Sequence, residues 1–303
     1  MPAPKGLMLL GAVTLSLSTA TQAEEPPLKV AATFSVIGDL VREVAGDDAR
    51  VEVLTPVAAE VHEWELIPSN FITLEEADVV FYNGYGLEQW LGQIHATVGD
   101  DVPVVALAEQ SGYATLPIAT GEYAGEIDPH MWMDPRAAAG YARVIAETLA
   151  QALPSAADAF EARAEALVAS LHALHDELTE DLAVIPPEQR LLITSEAAFV
   201  YFADAFDFEH DGIWGTNAEE EGSPRQIMRI VDLINQKRPR AIFWESTISD
   251  RHVRSVASET DVEIAGPLYV DSLSEPNGEA PDYASMLRHN VRLLRETLGA
   301  LNE

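Results

Sequence analysis

The 303-residue chain predicts an α/β protein of two parallel-sheet lobes joined by one long backbone helix. Three observations carry this expectation. Short apolar runs alternate with amphipathic stretches of helical period, the pattern of strands covered by helices on both faces. The alternation runs through the first half of the chain and is repeated in the second. Between the halves, an apolar stripe from Phe160 through Ala164, Leu167, Leu171, Leu174 and Leu178 to Leu182 keeps three-, four- and seven-residue spacing. A helix over 155–183 would be about 40 Å long, which suits a spine crossing the molecule better than a local crossover.

The elements follow in order. Leu28 to Phe34 reads as a buried strand, and Val36 to Val44 as a helix with Ile37, Leu40, Val41 and Val44 on one face. A strand over Val51–Pro56 runs into an irregular loop, Val57 to Asn70. A short helix, Phe71 to Ala77, leads to a strand over Asp78–Tyr82, which Asn83-Gly84 ends. A helix over Leu87–Val98 and a strand over Pro103–Leu107 complete the first lobe's sheet. The glycine- and threonine-rich loop from Ser111 to Gly125 has no period. Asp134-Pro135 then supplies an N-cap and a first-turn proline for a helix ending near Ala152. After the linking helix, which Pro186-Pro187 closes, the second half predicts strands at 191–194, 208–213, 241–244 and 262–265. Helices at 197–206, 223–236, 250–260 and 282–301 alternate with them. The expected organisation is a signal peptide at 1–23, an N-terminal lobe at 24–154, the linking helix at 155–185 and a C-terminal lobe at 186–303.

Composition narrows the function. Lys5, an apolar run from Leu7 to Leu17 and the small residues ending in Thr21-Gln22-Ala23 match a cleaved secretory signal, too short to span a bilayer. Export to a bacterial periplasm is the simplest expectation. The net charge of −32, which becomes −33 once Lys5 leaves with that segment, argues against nucleic acid or an anionic membrane as partner. The chain has no cysteine, which removes disulfides, thiolate metal sites, a cysteine nucleophile and a lipid-anchored cysteine. It also has no G-x-G-x-x-G after the first strand, no P-loop, no G-x-S-x-G elbow and no H-E-x-x-H helix.

In open parallel sheets, ligands collect beyond the carboxyl ends of the strands. Four polar residues share that position. His62 and His130 lie in loops of the first lobe, and Glu196 and Asp271 follow strands of the second. If the lobes face each other, two imidazoles and two carboxylates converge in the cleft as a mixed nitrogen–oxygen site for a divalent transition metal. Four side chains that close the shell favour carriage over catalysis. Glu245, straight after a buried strand, is the best further candidate, either supporting that site or paired with an arginine. His172 and His175, three apart on the long helix near Asp176 and Glu180, fit a solvated helix face better than a metal site. The remaining histidines share no position.

At these residues the chain resembles the metal-specific solute-binding proteins of bacterial ABC transporters, the zinc/manganese/iron group. The resemblance covers essentially the whole mature chain. It is carried by the stretches from Ala31 to Leu40, Pro68-Ser-Asn70, Ala77 to Gly84, Leu87-Glu-Gln-Trp-Leu91 and Asp128-Pro-His-Met-Trp-Met-Asp-Pro135. Ser195 to Phe202, Ser223-Pro-Arg-Gln226, Ile242-Phe-Trp-Glu245 and Asp271-Ser-Leu273 add to it. It implies a metal held between two lobes by His62, His130, Glu196 and Asp271, and delivery to a membrane permease that an ATPase drives. A monomer without enzymatic activity is the expectation. The zinc branch usually carries histidine at the third ligand and a histidine-rich loop before the second. Glu196 and the histidine-free loop 111–125 therefore resemble the manganese/iron branch, with Mn²⁺ favoured and Fe²⁺ or Zn²⁺ as alternatives. A zinc-specific protein of the same group, or an exported metallohydrolase using Glu245 as base, are the competing readings. One departure stands out: the family's Asp-Pro-His-x-Tyr-Glu-Pro is here Glu60-Val61-His62-Glu63-Trp64-Glu65-Leu66, so the proline before the first histidine is lost.

Overall fold

The computed structural model describes residues 26–216 and 222–299. The expected signal segment, 1–23, lies outside the described residues. The first lobe is one parallel sheet in the order β2-β1-β3-β4, with β1 at Leu28–Ala32, β2 at Ala49–Val53, β3 at Val79–Tyr82 and β4 at Val104–Ala106. Around it lie α1 (Ser35–Ala45), α2 (Pro68–Glu75), α3 (Leu91–Thr97), the single turn α4 (Leu107–Gln110) and α5 (Pro135–Ala152). The central strands β1 and β3 are largely buried because helices cover both faces, whereas the edge strand β2 carries the exposed Arg50–Glu52 pair.

The linking helix α6 spans Ala157–Leu182, about 39 Å at 1.5 Å per residue. Its stripe of Phe160, Ala164, Leu171, Leu174, Leu178 and Leu182 is buried. Near its start, Arg163 donates to Val44 O and Ala45 O at the end of α1 and pairs with Asp48. Further along, Glu177 and Asp181 pair with Arg288 and Arg295 of α10 (Tyr283–Leu298). One helix thus fastens to both lobes, and a single hydrophobic core runs from β1 and α1 through α5 and α6 to α7 and α10.

The second lobe contains β5 (Leu191–Glu196), α7 (Val200–Phe206), β6 (Glu209–Trp214), α8 (Pro224–Lys237), β7 (Ala241–Glu245), α9 (Arg251–Thr260) and β8 (Glu263–Leu268). Its strands pair in parallel as β5–β6 and β7–β8, and β5 and β7 lie side by side. A second apolar cluster fills the space between these pairs and α8 and α9.

Most boundaries fall within two or three residues of expectation, and the exceptions have local causes. The helix expected at 71–77 begins at Pro68, because the Asn70 side chain turns back to accept from Ile67 N at 3.0 Å. The helix expected at 87–98 begins only at Leu91. Before it, the Glu88 carboxylate accepts from Asn83 N at 2.8 Å, Gly84 N at 3.2 Å and Thr33 Oγ1 at 2.8 Å, folding 83–88 into a turn. Gly84 sits there at φ +98°, and a Cβ at that position would meet the Glu109 carboxylate. Asp134 is the N-cap of α5 as expected, accepting from Arg136 N at 2.8 Å, and Asp282 caps α10 by accepting from Ser285 N.

Candidate metal centre

The site is built from two loops of the first lobe and two strand ends of the second. His62 lies between β2 and α2. The Glu60 carboxylate accepts from the backbone N–H groups of His62 and Glu63, both at 2.9 Å, which curls the loop without a proline. The Val61 carbonyl accepts from Trp90 Nε1 at 2.8 Å, and the His62 carbonyl accepts from Gln89 N at 3.2 Å.

His130 lies just ahead of the 3₁₀ turn Met131–Met133 that leads into α5. Asp128 Oδ1 accepts from His130 N at 2.9 Å and lies 3.0 Å from His130 Nδ1. In the neutral, ligating form a proton on Nδ1 would complete that second bond and leave Nε2 with its lone pair facing the cleft. The Pro129 carbonyl accepts from Asn83 Nδ2 at 2.8 Å, and Asn83 Oδ1 accepts from Tyr141 OH at 2.7 Å. Trp132 stands beside the His130 ring, 5.3 Å between centroids, and donates from Nε1 to the Val270 carbonyl next to Asp271.

Glu196 ends β5. Glu245, at the end of β7, accepts from Ser195 N at 3.2 Å and Glu196 N at 3.0 Å, so a carboxylate joins these two strands where they leave the sheet. The arginine partner weighed for Glu245 is not found among the described residues. Asp271 follows β8, between Val270 and Ser272.

One donor atom from each of His62, His130, Glu196 and Asp271 lies within 4.8 Å of the others, and all four side chains are buried. Glu196 Oε1 is 3.5 Å from His62 Nε2 and 3.7 Å from His130 Nε2, and Asp271 Oδ1 is 3.8 Å from His130 Nε2. Donors about 2.1 Å from a common cation stand about 3.4 Å apart in a tetrahedral shell, so these separations leave room for one ion. His62 Nε2, His130 Nε2 and both Asp271 oxygens find no hydrogen-bond partner among the described residues. Leaving buried polar atoms unsatisfied costs about 1–3 kcal/mol each. A divalent cation at the common point would satisfy all of them.

The electrostatics agree. Burial alone lowers the His130 imidazole, but the Asp128, Glu196 and Asp271 carboxylates outweigh it and push it up to about 10. Burial, reinforced by the charge on His130, holds His62 well below the usual histidine range. Burial also raises Asp271 to about 7, against the attraction of His130, and raises Glu245 to about 8. The surrounding carboxylates thus favour a proton on the His130 imidazole as their counter-charge.

The structure brings His62, His130, Glu196 and Asp271 together and sets Glu245 against the Glu196 backbone. His172 and His175 do not form a site; the His175 ring stacks on Phe206 at 5.3 Å. Four supporting residues were not assigned from the sequence: Asp128, Asn83, Glu88 and Trp90. Asp128 had a readable signal, a carboxylate two positions before a loop histidine. In the sequence Asn83 marks only the end of a strand, and nothing local marks Trp90 or Glu88 as ties to the histidine loops.

Two parallel-sheet lobes on a shared spine, with a buried nitrogen–oxygen donor set closed between them, define a metal-binding solute-receptor protein of the ABC-transporter type. Residues 30–297 match the family described as zinc-uptake complex component A, periplasmic, and the chain belongs to that family. It is 36% identical over 299 residues to the iron-binding protein YfeA of Yersinia pestis, covering 97% of this chain and 95% of that protein. It is 34% identical over 273 residues to the manganese-binding lipoprotein MntA of Halalkalibacterium halodurans, covering 90% and 89%. Among solved structures, the Mn-bound periplasmic metal binding protein of Candidatus Liberibacter asiaticus superposes with a TM-score of 0.80 at 29% identity, covering 89% of this chain and 98% of that one. The periplasmic zinc binding protein TroA of Treponema pallidum gives 0.82 at 26%, covering 90% and 100%. The family is one of metal uptake and these relatives are metal-binding proteins, not enzymes, so the metallohydrolase alternative falls. Glu245, its required base, is occupied by two backbone N–H groups.

Proposed function

We propose that the chain captures Mn²⁺ in the bacterial periplasm through His62, His130, Glu196 and Asp271 and delivers it to the permease of a metal ABC importer. The observation that carries this reading is the convergence of four buried donors from both lobes within 4.8 Å. Manganese over iron and zinc is supported by the even split between imidazole and carboxylate. It is also supported by the two Asp271 oxygens, both open to an ion, which allow a shell of five or six. Zn²⁺ is the second reading, favoured by donor separations of 3.5–3.8 Å that already approach a tetrahedron. In this reading residues 24–154 and 186–303 are the two lobes, 155–185 the spine and 1–23 a cleaved export signal, and the monomer is the working unit. With no cysteine, the chain offers no thiol for a lipid anchor.

Isothermal titration of metal-stripped protein with Mn²⁺, followed by competition with Fe²⁺ and Zn²⁺, tests the proposal. Saturable one-to-one binding is expected, with Zn²⁺ binding more tightly in the intrinsic order. Mn²⁺ as the working metal is therefore read from the metal bound to protein isolated from cells at physiological supply. Absence of such binding, or binding untouched by His62→Ala and Glu196→Ala, would sink the ligand assignment. Zn²⁺ in place of Mn²⁺ on protein isolated from cells supplied with both metals would favour the second reading.

A further inference from the structure

Six large apolar side chains stand exposed among the described residues, and three of them, Ile67, Phe71 and Ile72, fall within six consecutive positions. Their exposures are 45%, 37% and 59%. Ile67 is the N-cap of α2, Phe71 lies four positions on, one turn along, and Ile72 follows it about 100° further round the helix. Exposed apolar residues are ordinary when scattered, whereas a local cluster is often functional. The cluster is flanked along the chain by the exposed carboxylates of Glu63 and Glu65 on one side and Glu75 on the other.

This face is joined to the site. Asn70 Oδ1 accepts from Ile67 N at 3.0 Å and from Trp64 Nε1 at 3.3 Å, while Asn70 Nδ2 donates to Leu54 O at 2.8 Å. Asn70 therefore gathers both ends of the loop that carries His62. We propose that the Ile67–Phe71–Ile72 face of α2 docks on the permease, against an apolar surface ringed by lysine or arginine. The proposal rests on the function assigned above.

The charge pattern selects this occupant. An acidic border on a chain of net charge −32 repels a second copy of itself and an anionic lipid surface, and attracts a basic one. Three side chains expose roughly a few hundred Å², below the about 800 Å² per partner of a stable interface. That suits a contact made and broken at each delivery. A partner on α2 sits over the loop of one proposed ligand, so docking and the opening of the His62 loop share the same Asn70 bonds.

The test compares Phe71→Ser/Ile72→Ser with the unaltered chain, and with Met228→Ser on α8, which removes an equally exposed but isolated apolar side chain. Retention on proteoliposomes carrying the importer's permease and ATPase reads docking, with and without Mn²⁺, and calorimetry reads Mn²⁺ binding separately. The double variant should raise the half-saturating concentration at least tenfold while its Mn²⁺ affinity stays within twofold, and Met228→Ser should change neither. Glu75→Lys should weaken retention several-fold, more at low salt. Retention by the double variant within twofold of the parent, with its metal affinity intact, overturns the docking face. So does patch-dependent retention on anionic vesicles lacking the permease, or a parent dimer that the double variant abolishes. A parent chain that binds no Mn²⁺ would overturn the metal assignment instead, and patch-dependent retention would still decide the docking.

Discussion

The two histidine loops of the first lobe solve one problem in two ways. In Asp128-Pro129-His130 the carboxylate accepts from the backbone N–H two positions on and also faces ring Nδ1, and a proline fixes the turn. In Glu60-Val61-His62 the longer glutamate accepts from the backbone of His62 and Glu63, and valine replaces proline. Each central carbonyl is then held at 2.8 Å by a side-chain N–H from one segment, Pro129 by Asn83 and Val61 by Trp90. The missing proline is thus offset by a carboxylate and an indole. What differs is the charge state: carboxylates push His130 up to about 10, whereas burial and the charge on His130 hold His62 down. A shared backbone solution supports two chemically distinct imidazoles.

The sharpest way to break this comparison is to remove each imidazole. His130→Ala should weaken Mn²⁺ binding by well over 100-fold in calorimetry, beyond the 10–100-fold typical of outer-sphere partners, and His62→Ala by a smaller factor. Equal losses would show that the Asp128 bond adds nothing to His130. Next in size is Asp128→Asn, which keeps a hydrogen bond but removes the charge; affinity should fall about 10–100-fold. Glu60→Gln, acting only through the backbone, should cost under tenfold.

The pH dependence sharpens the contrast further. A ligating imidazole must be neutral, so a site whose metal-free form holds a proton on His130 releases it on binding. Affinity should rise up to about tenfold per pH unit through the neutral range, below the His130 value of about 10, and fall as pH drops. Asp271, raised to about 7, adds a second proton towards the acid side. Calorimetry at pH 8 in buffers of different ionisation enthalpy should count about one proton released per Mn²⁺. His130→Ala should abolish that release and His62→Ala should leave it. Retention of the proton in His130→Ala would assign it elsewhere. The smallest effect is expected from Trp90→Phe, which leaves the Val61 carbonyl without its donor. It should cost about 1 kcal/mol, or roughly 2–4 °C in thermal melting, with little change in affinity.

Much of the site was legible because its signals are local. Strand ends can be placed from hydrophobic period, which brings out His62, Glu196 and Asp271, and His130 stands in the loop that opens the helix capped by Asp134. Asp134 as a helix cap needed only its neighbours Pro135 and Arg136. Leu87 and Leu91 carry helical spacing, which predicts helix from Leu87, but a buried Glu88 taking two backbone N–H groups overrides it and makes 83–88 a turn. Trp90 was invisible as a support because its partner, Val61, lies 29 residues away.

The sequence by itself determined the alternation of strands and helices, the long spine, the acidic surface and the four residues offered at the cleft. These follow from periodicity and capping, interactions that span a few residues. Only the tertiary structure decided that the four donors approach within 4.8 Å, that Glu60 and Trp90 stand in for a proline, and that Glu245 ties β7 to the end of β5. Each of these joins groups whose meeting depends on how the lobes pack, and a buried polar atom takes whichever partner that packing brings within reach.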